Sequence, residues 1–106
     1  MGVSNPYAEE NPEVIENFLR AYIEANRRLR TEEEAAKTIL ESRMNITGKI
    51  LDTSYNIYKT IWPIDPHLPE AEVRFLLNEL VKTNPDAVSK TPADVLDNRY
   101  ADAAMK

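Results

Sequence analysis

The sequence predicts an all-α fold, a bundle of four to five helices. Three observations carry that prediction. Apolar residues recur three and four positions apart along successive stretches, the period of a helix face. Polar caps followed by proline or acidic residues open those stretches. Only two glycines and few β-branched runs leave little from which to build a sheet. At 106 residues, 42% hydrophobic and 29% charged, the chain fits a single helical domain over residues 1–106. A chain of that length can bury roughly 60–70% of its extended surface. Most of the seven prolines fall at element boundaries, where proline is tolerated.

Residues 1–10 read as a leader. The first long helix runs from about Pro12 to Leu29, with Asn11 as N-cap and Pro12 at the first helical position, where its missing N–H costs no bond. Val14, Ile15, Phe18, Leu19, Tyr22, Ile23 and Leu29 form one apolar stripe, interrupted by Asn26. On the opposite face Glu16–Arg20 and Glu24–Arg28 are i,i+4 pairs, each contributing roughly 0.2–0.5 kcal/mol.

A second helix begins at Thr31-Glu32-Glu33-Glu34, a capping-box pattern. Ala35, Ala36, Ile39, Leu40 and Met44 give it a thinner apolar face, and Asn45 to Gly48 end it. So short a link makes the first two helices antiparallel or steeply crossed neighbours. The third helix spans about Gly48 to Ile61, with Ile50, Leu51, Tyr55, Tyr58, Ile61 and Trp62 at helical spacing. It stops at Pro63, because proline disfavours helical geometry in the residue before it. Pro63 to Pro69 is an extended, stiff connector with three prolines, Pro63, Pro66 and Pro69. Pro69 opens the fourth helix, which turns Val73, Leu76, Leu77, Leu80 and Val81 inward and ends before Asn84-Pro85. Asp86 to Lys90 is loop. The last helix starts at Thr91-Pro92-Ala93-Asp94, with Asp94 placed to return the capping bond, and breaks near Asp97-Asn98. Residues 101–106 are small and polar and read as a frayed tail. The predicted core is Phe18, Leu19, Tyr22, Leu40, Tyr58, Leu76, Leu77 and Leu80.

Charge excludes one class of function. The formal net charge of −5 argues against a polyanion partner, since nucleic-acid binders concentrate basic residues on one face. Arg27, Arg28 and Arg30 gather at one helix end, but Glu13 and Glu16 stand at its start, the polarity that suits a helix dipole. With no cysteine there is no disulfide framework, thiol nucleophile or sulfur-ligated metal. No apolar run approaches the ~18 residues of a membrane span. Met1 to Asn5 has neither a basic nor an apolar leader region and does not read as a targeting signal. Met1-Gly2 fits a cloning remnant, in which case the chain is a piece of a longer secreted protein.

The candidate chemistry is sparse. His67, the only histidine, sits in the connector with Asp65 and Glu70 as nearby carboxylates, and reads as a surface loop residue. Glu9-Glu10 and Glu32-Glu33-Glu34 are adjacent on helices, so their side chains diverge and form no acid–base pair. Tyr55, Tyr58 and Trp62 could wall a pocket or a partner groove, but large aromatics dominate cores, with Phe18 and Tyr22 as packing partners. Asp97-Asn98-Arg99-Tyr100 reads as a helix-terminal turn in which Asp and Asn bond nearby backbone. No catalytic residue, metal ligand or cofactor is expected, and the chain is not expected to be an enzyme.

The order of these phrases resembles the C-terminal helical region of the extracytoplasmic substrate-binding proteins of ABC importers. The group is that for nitrate, sulfonates, taurine and thiamin-precursor pyrimidines. The carriers are Asn11-Pro12-Glu13-Val14 with Ala21 and Ala25, Glu33 to Leu40, Tyr55 to Trp62, Leu76-Leu77, and Pro92-Ala93-Asp94 with Asp97-Asn98. They cover roughly Asn5 to Ala104. The resemblance implies a fragment of a two-lobed, type II-like periplasmic-binding-protein fold, whose lobes close on a small anionic or heterocyclic solute. The family's ligand-contacting loops lie mainly in its earlier two-thirds, so no ligand-binding residue transfers to any position here. The implied partners are the remaining lobes of the parent protein and its ABC permease. Small-molecule ligand is expected only in the full-length parent, which would be periplasmic or lipid-anchored. As an isolated fragment the chain is expected to form a homodimer. Read from its residues alone, the chain fits a free-standing helical interaction module whose aromatic groove accepts a partner helix.

Overall fold

The computed structural model describes residues 2–106; of the pair read as a cloning remnant, Met1 lies outside them. The described residues are all-α, with seven α-helices, one 3-10 turn and no strand. The helices are α1 (Asn5–Glu10), α2 (Pro12–Thr31), α3 (Glu33–Met44), α4 (Gly48–Tyr58), α5 (Glu70–Leu80), α6 (Pro92–Val95) and α7 (Arg99–Ala104), with the 3-10 turn at Pro85–Ser89. They fall into two compact units, one of residues 17–66 and one combining residues up to 16 with residues 67–106.

The element count exceeds the expected four to five because both ends of the chain are helical. The segment expected to be a leader forms α1, where Ala8 is buried. The segment expected to fray forms α7, where Ala101 and Ala104 are buried. Small side chains do not by themselves fray a chain end: alanine favours helices and fits where helices pack closely. The loop expected after Asn84 is a 3-10 turn that buries Ala87, opened by the Asn84 side chain, which accepts a bond from the Asp86 N–H at 3.3 Å.

Asn11 serves two helices. Its carbonyl accepts from the N–H groups of Val14 and Ile15, beginning α2. Its side-chain amide donates back to the Tyr7 carbonyl at 3.1 Å, closing α1. The capping box expected at Thr31 does not form. α2 runs through Thr31, whose hydroxyl donates to the Arg27 carbonyl at 3.0 Å, and Glu32 alone separates α2 from α3. An N-cap requires non-helical backbone, and Thr31 is still helical. Asn45 ends α3 in the left-handed region (φ 55°), and Gly48 adopts φ 59° where α4 begins. α4 stops at Tyr58, short of the expected Ile61, and the next residues form turns in which the Ile61 and Trp62 N–H groups both donate to the Tyr58 carbonyl.

In the unit of residues 17–66, α3 packs on α4. Ile23, Asn26, Ala36, Leu51 and Tyr55 are its buried residues. In the other unit, α5 packs on the 3-10 turn and on α6, and Ala8, Ile15, Val73, Ala87, Pro92, Ala101 and Ala104 are buried.

The predicted core needs correction. Leu19, Leu40 and Leu77 are half-buried. Phe18, Tyr22, Tyr58, Leu76 and Leu80 are exposed. On α2 the apolar stripe consists of two neighbouring ridges, Ile15–Leu19–Ile23 and Val14–Phe18–Tyr22. Only the first is covered, continuing to Asn26. Periodicity gives the width of an apolar face, and neighbours decide how much of it is covered.

Candidate functional site

In the unit of residues 17–66 the chemistry-bearing side chains are bound into the fold. Asn26, the polar interruption in the α2 stripe, is 5% exposed, and its amide donates to the Pro63 carbonyl at 2.7 Å. One turn further on, Arg30 donates to the Trp62 carbonyl, and its Nε is buried without a hydrogen-bond partner. The Tyr55 hydroxyl donates to the Leu29 carbonyl at 2.6 Å. Three polar contacts thus fasten the end of α2 to α4 and the first connector residues. The expected solvated arginine cluster therefore divides. Arg27 and Arg28 lie exposed on Glu24, at 2.9 and 3.0 Å, whereas Arg30 is half-buried.

Lys37 is the electrostatic centre of this unit. Its ammonium bonds Glu33 one turn back on α3 at 2.7 Å and reaches Asp52 on α4 at 2.9 Å. It also lies 5.5 Å from the centre of the Tyr55 ring, with Lys59 5.7 Å from the same centre. Its hydrogen bonds to Glu33 and then to Asp52 hold Lys37 well above the ordinary lysine range. The bond from Lys37 pulls Glu33 below the ordinary glutamate range, and burial pushes the Tyr55 hydroxyl up. The acidic run Glu32 to Glu34 thus supplies one ion-pair partner and no paired carboxylate site. The i,i+4 spacing of Glu33 and Lys37 was a readable signal for that pair; the reach to Asp52 had none in sequence.

The aromatic stripe of α4 divides as well. Tyr55 is 1% exposed, as expected of a core residue. Tyr58 is exposed and stacks on half-buried Trp62, with ring centres 6.5 Å apart and planes at 26°. Ile57 and Ile61 beside it are exposed too. Phe18 and Tyr22, expected to pack on this stripe, stack on each other instead, 6.5 Å apart and 52% and 41% exposed.

In the other unit, His67 is engaged with α7. Its Nε2 lies 2.7 Å from Asp102 Oδ1, thirty-five residues on. Glu70, near His67 in sequence, bonds Arg74 at 2.7 Å, within α5. Asn98 holds both backbone groups of Leu68, which corrects the reading of Asp97-Asn98 as bonding only nearby backbone. Asp97 does act locally, accepting from the Arg99 N–H at 3.0 Å and from its guanidinium at 2.7 Å. That guanidinium holds the Asp97 carboxyl below the ordinary aspartate range. The expected return of the capping bond by Asp94 is present. The Thr91 N–H donates to Asp94 Oδ2 at 2.7 Å and the Thr91 hydroxyl to the same oxygen at 3.2 Å.

Two open cavities flank α6. One, of about 340 Å³, is lined by Ala8, Glu9, Asp94, Asp97, Arg99 and Tyr100 among others. The second, of about 330 Å³, is lined by Glu70, Arg74, Thr91, Pro92, Ala93 and Leu96. In the first, Asp94 is committed to its cap and Asp97 to Arg99. Among the described residues no group of three His, Cys, Asp or Glu could hold a metal ion, and no helix is long and apolar enough to cross a membrane. What the surface offers instead is apolar area on helices: Phe18 and Tyr22 on α2, Ile57 and Tyr58 on α4, Leu76 and Leu80 on α5. Compared with family models, curated proteins and solved structures, the chain finds no match.

Proposed function

We propose that this chain is a helical docking segment of the kind that forms the C-terminal region of an ABC importer's substrate-binding protein. The observation that carries the reading is α5. Val73, Leu76, Leu77 and Leu80 share one helical stripe, yet only Val73 is buried, while Leu76 and Leu80 are 64% and 45% exposed. An amphipathic helix is stabilised by covering its stripe, and an uncovered one marks an interaction surface. The order of caps and stripes along the sequence supplies the partner: the α/β lobes of a binding protein for a small anionic or heterocyclic solute. In that setting the segment is extracytoplasmic, binds no solute by itself and performs no chemistry. The solute site and the contacts with the permease belong to the assembled protein.

The experiment is complementation. The chain is mixed with the two lobes of a taurine- or pyrimidine-binding protein lacking its own C-terminal helices, and solute binding is followed by calorimetry. Restored binding, abolished by Leu76→Asp with Leu80→Asp, is expected. Micromolar solute binding by the chain alone, or no association with any such lobes, overturns the reading.

A second reading has its own observation. The exposed Tyr58–Trp62 stack beside exposed Ile57 and Ile61 fits a free-standing interaction module that seats a partner helix. Aromatic pairs of this kind are common anchors in interfaces.

A further inference from the structure

We propose that Asn45 is an acceptor for an N-linked glycan, presented to the transferase by Thr47. Of the chain's nine asparagines it is the one with serine or threonine two residues on and no proline between: Asn45-Ile46-Thr47. The spacing has a chemical reason. In an extended segment residues i and i+2 face the same side, so a transferase can hold the amide and the hydroxyl together. A proline between them would lock the backbone and remove an N–H.

Local structure accounts for only part of this triplet. Asn45 ends α3 in the left-handed region, at φ 55° and ψ 40°, and its backbone N–H donates to the Glu41 carbonyl at 2.9 Å. Asparagine is tolerated there, but glycine is the usual residue. Thr47 stands at the N-cap of α4, yet its hydroxyl makes no capping bond. Asn11, Asn17, Asn26, Asn84 and Asn98 engage their side chains in bonds within the chain. Among the described residues no such bond holds the Asn45 amide or the Thr47 hydroxyl.

Space is the second requirement, because a glycan is bulky and hydrophilic and must stand in solvent. Asn45 and Thr47 are exposed, as are residues 41–44 before them and 48–50 after. A Cβ built on Gly48 meets nothing within 4 Å, so that part of the turn is open as well. Met44 and Ile50 flank the turn in sequence and are 63% and 68% exposed. A glycan here would shield apolar side chains that the fold leaves in water.

The reaction is a glycosyl transfer, and the donor class is an oligosaccharide carried on a polyprenyl pyrophosphate. The bond from sugar C1 to Asn45 Nδ2 forms and the bond from C1 to the pyrophosphate oxygen breaks. Its electron pair leaves with the lipid pyrophosphate, and the amide proton goes to a base of the transferase. The inference rests on the extracytoplasmic placement proposed above, and not on the importer's lobes.

Translation of the full chain behind a secretory signal, in the presence of microsomes, tests this. The translocated, protease-protected chain should gain a single step of mass. Peptide N-glycosidase should remove that step and leave an aspartate at the linked position. Asn45→Gln, Thr47→Ala and Ile46→Pro should each abolish the step, and Thr47→Ser should keep it. Transfer acts on the emerging chain, so a variant that fails to fold is still scored. A translocated wild type without the step, or a step that survives Asn45→Gln, would overturn the proposal. Complementation of the lobes uses the unmodified chain and its α5 face, so either reading can fail while the other stands.

Discussion

Asn98 holds Leu68 by both of its backbone groups. The Leu68 N–H donates to Asn98 Oδ1, and Asn98 Nδ2 donates to the Leu68 carbonyl, each at 3.1 Å. A side-chain amide carries the same donor and acceptor as a peptide group, so it can pair with one as a strand neighbour would. One residue earlier His67 meets Asp102, which makes residues 67 and 68 a two-point attachment of the connector to α7.

That attachment can be dissected. Asn98→Ala removes two hydrogen bonds and should destabilise the chain by about 1–2 kcal/mol, read as a lower urea midpoint. His67→Ala should cost less, up to about 1 kcal/mol, because Asp102 is largely exposed and exposed pairs contribute little. An Asn98→Ala effect no larger than that of His67→Ala would show that the backbone clasp contributes nothing.

Burial separates two leucine-sized side chains of the same stripe type. Ile23→Ala should cost about 2–5 kcal/mol, since Ile23 is buried on the inner ridge of α2. Leu76→Ala should stay within about 0.5 kcal/mol, because the side chain is exposed in the isolated chain. Equal costs in chemical denaturation would contradict the division of covered and uncovered ridges.

Gly48 tests backbone conformation without confounding contacts. A Cβ built there would meet nothing within 4 Å, so only the positive φ resists a side chain. Gly48→Ala should therefore destabilise by about 1–2 kcal/mol through left-handed strain alone. An unchanged melting curve would mean that α4 begins differently.

Acid should act on the α6 cap. The Thr91 N–H, and then its hydroxyl, hold Asp94 below its ordinary value. A carboxylate depressed on folding stabilises fully above its unfolded value, about 4 for aspartate, and loses that contribution as pH falls through the lower folded value. Asp94→Asn has no such titration. The difference in urea midpoint between wild type and Asp94→Asn should be largest near neutral pH and shrink by about pH 2.5. A difference that does not change with pH would assign the cap no charge-dependent role.

The helical class was legible because periodicity, caps and prolines all act locally. Asn11 and Thr91 with Asp94 could be read from neighbours in the chain. Covering was not legible. Val14 and Ile15 are adjacent and equally apolar, and only one is buried. Nor were the long-range polar contacts: Asn26 to Pro63, Tyr55 to Leu29 and Asn98 to Leu68 join residues 37, 26 and 30 positions apart. Asn26 did leave a trace, as the one polar residue on an otherwise apolar line. A polar group at a buried position implies a hydrogen-bond partner, but the pattern does not say which.

Trp62 is the chain's sole tryptophan, and it belongs to the unit of residues 17–66. Stacked on Tyr58 and 5.9 Å from the Tyr55 ring, it is well placed to accept excitation from both tyrosines. Its emission therefore reports melting of one unit only, while far-ultraviolet ellipticity sums the helices of both. Followed together through a urea titration, the two signals ask whether the chain unfolds as one cooperative body. Coincident transitions would tie the units into a single event, and a tryptophan transition displaced from the ellipticity curve would show each unit melting on its own terms.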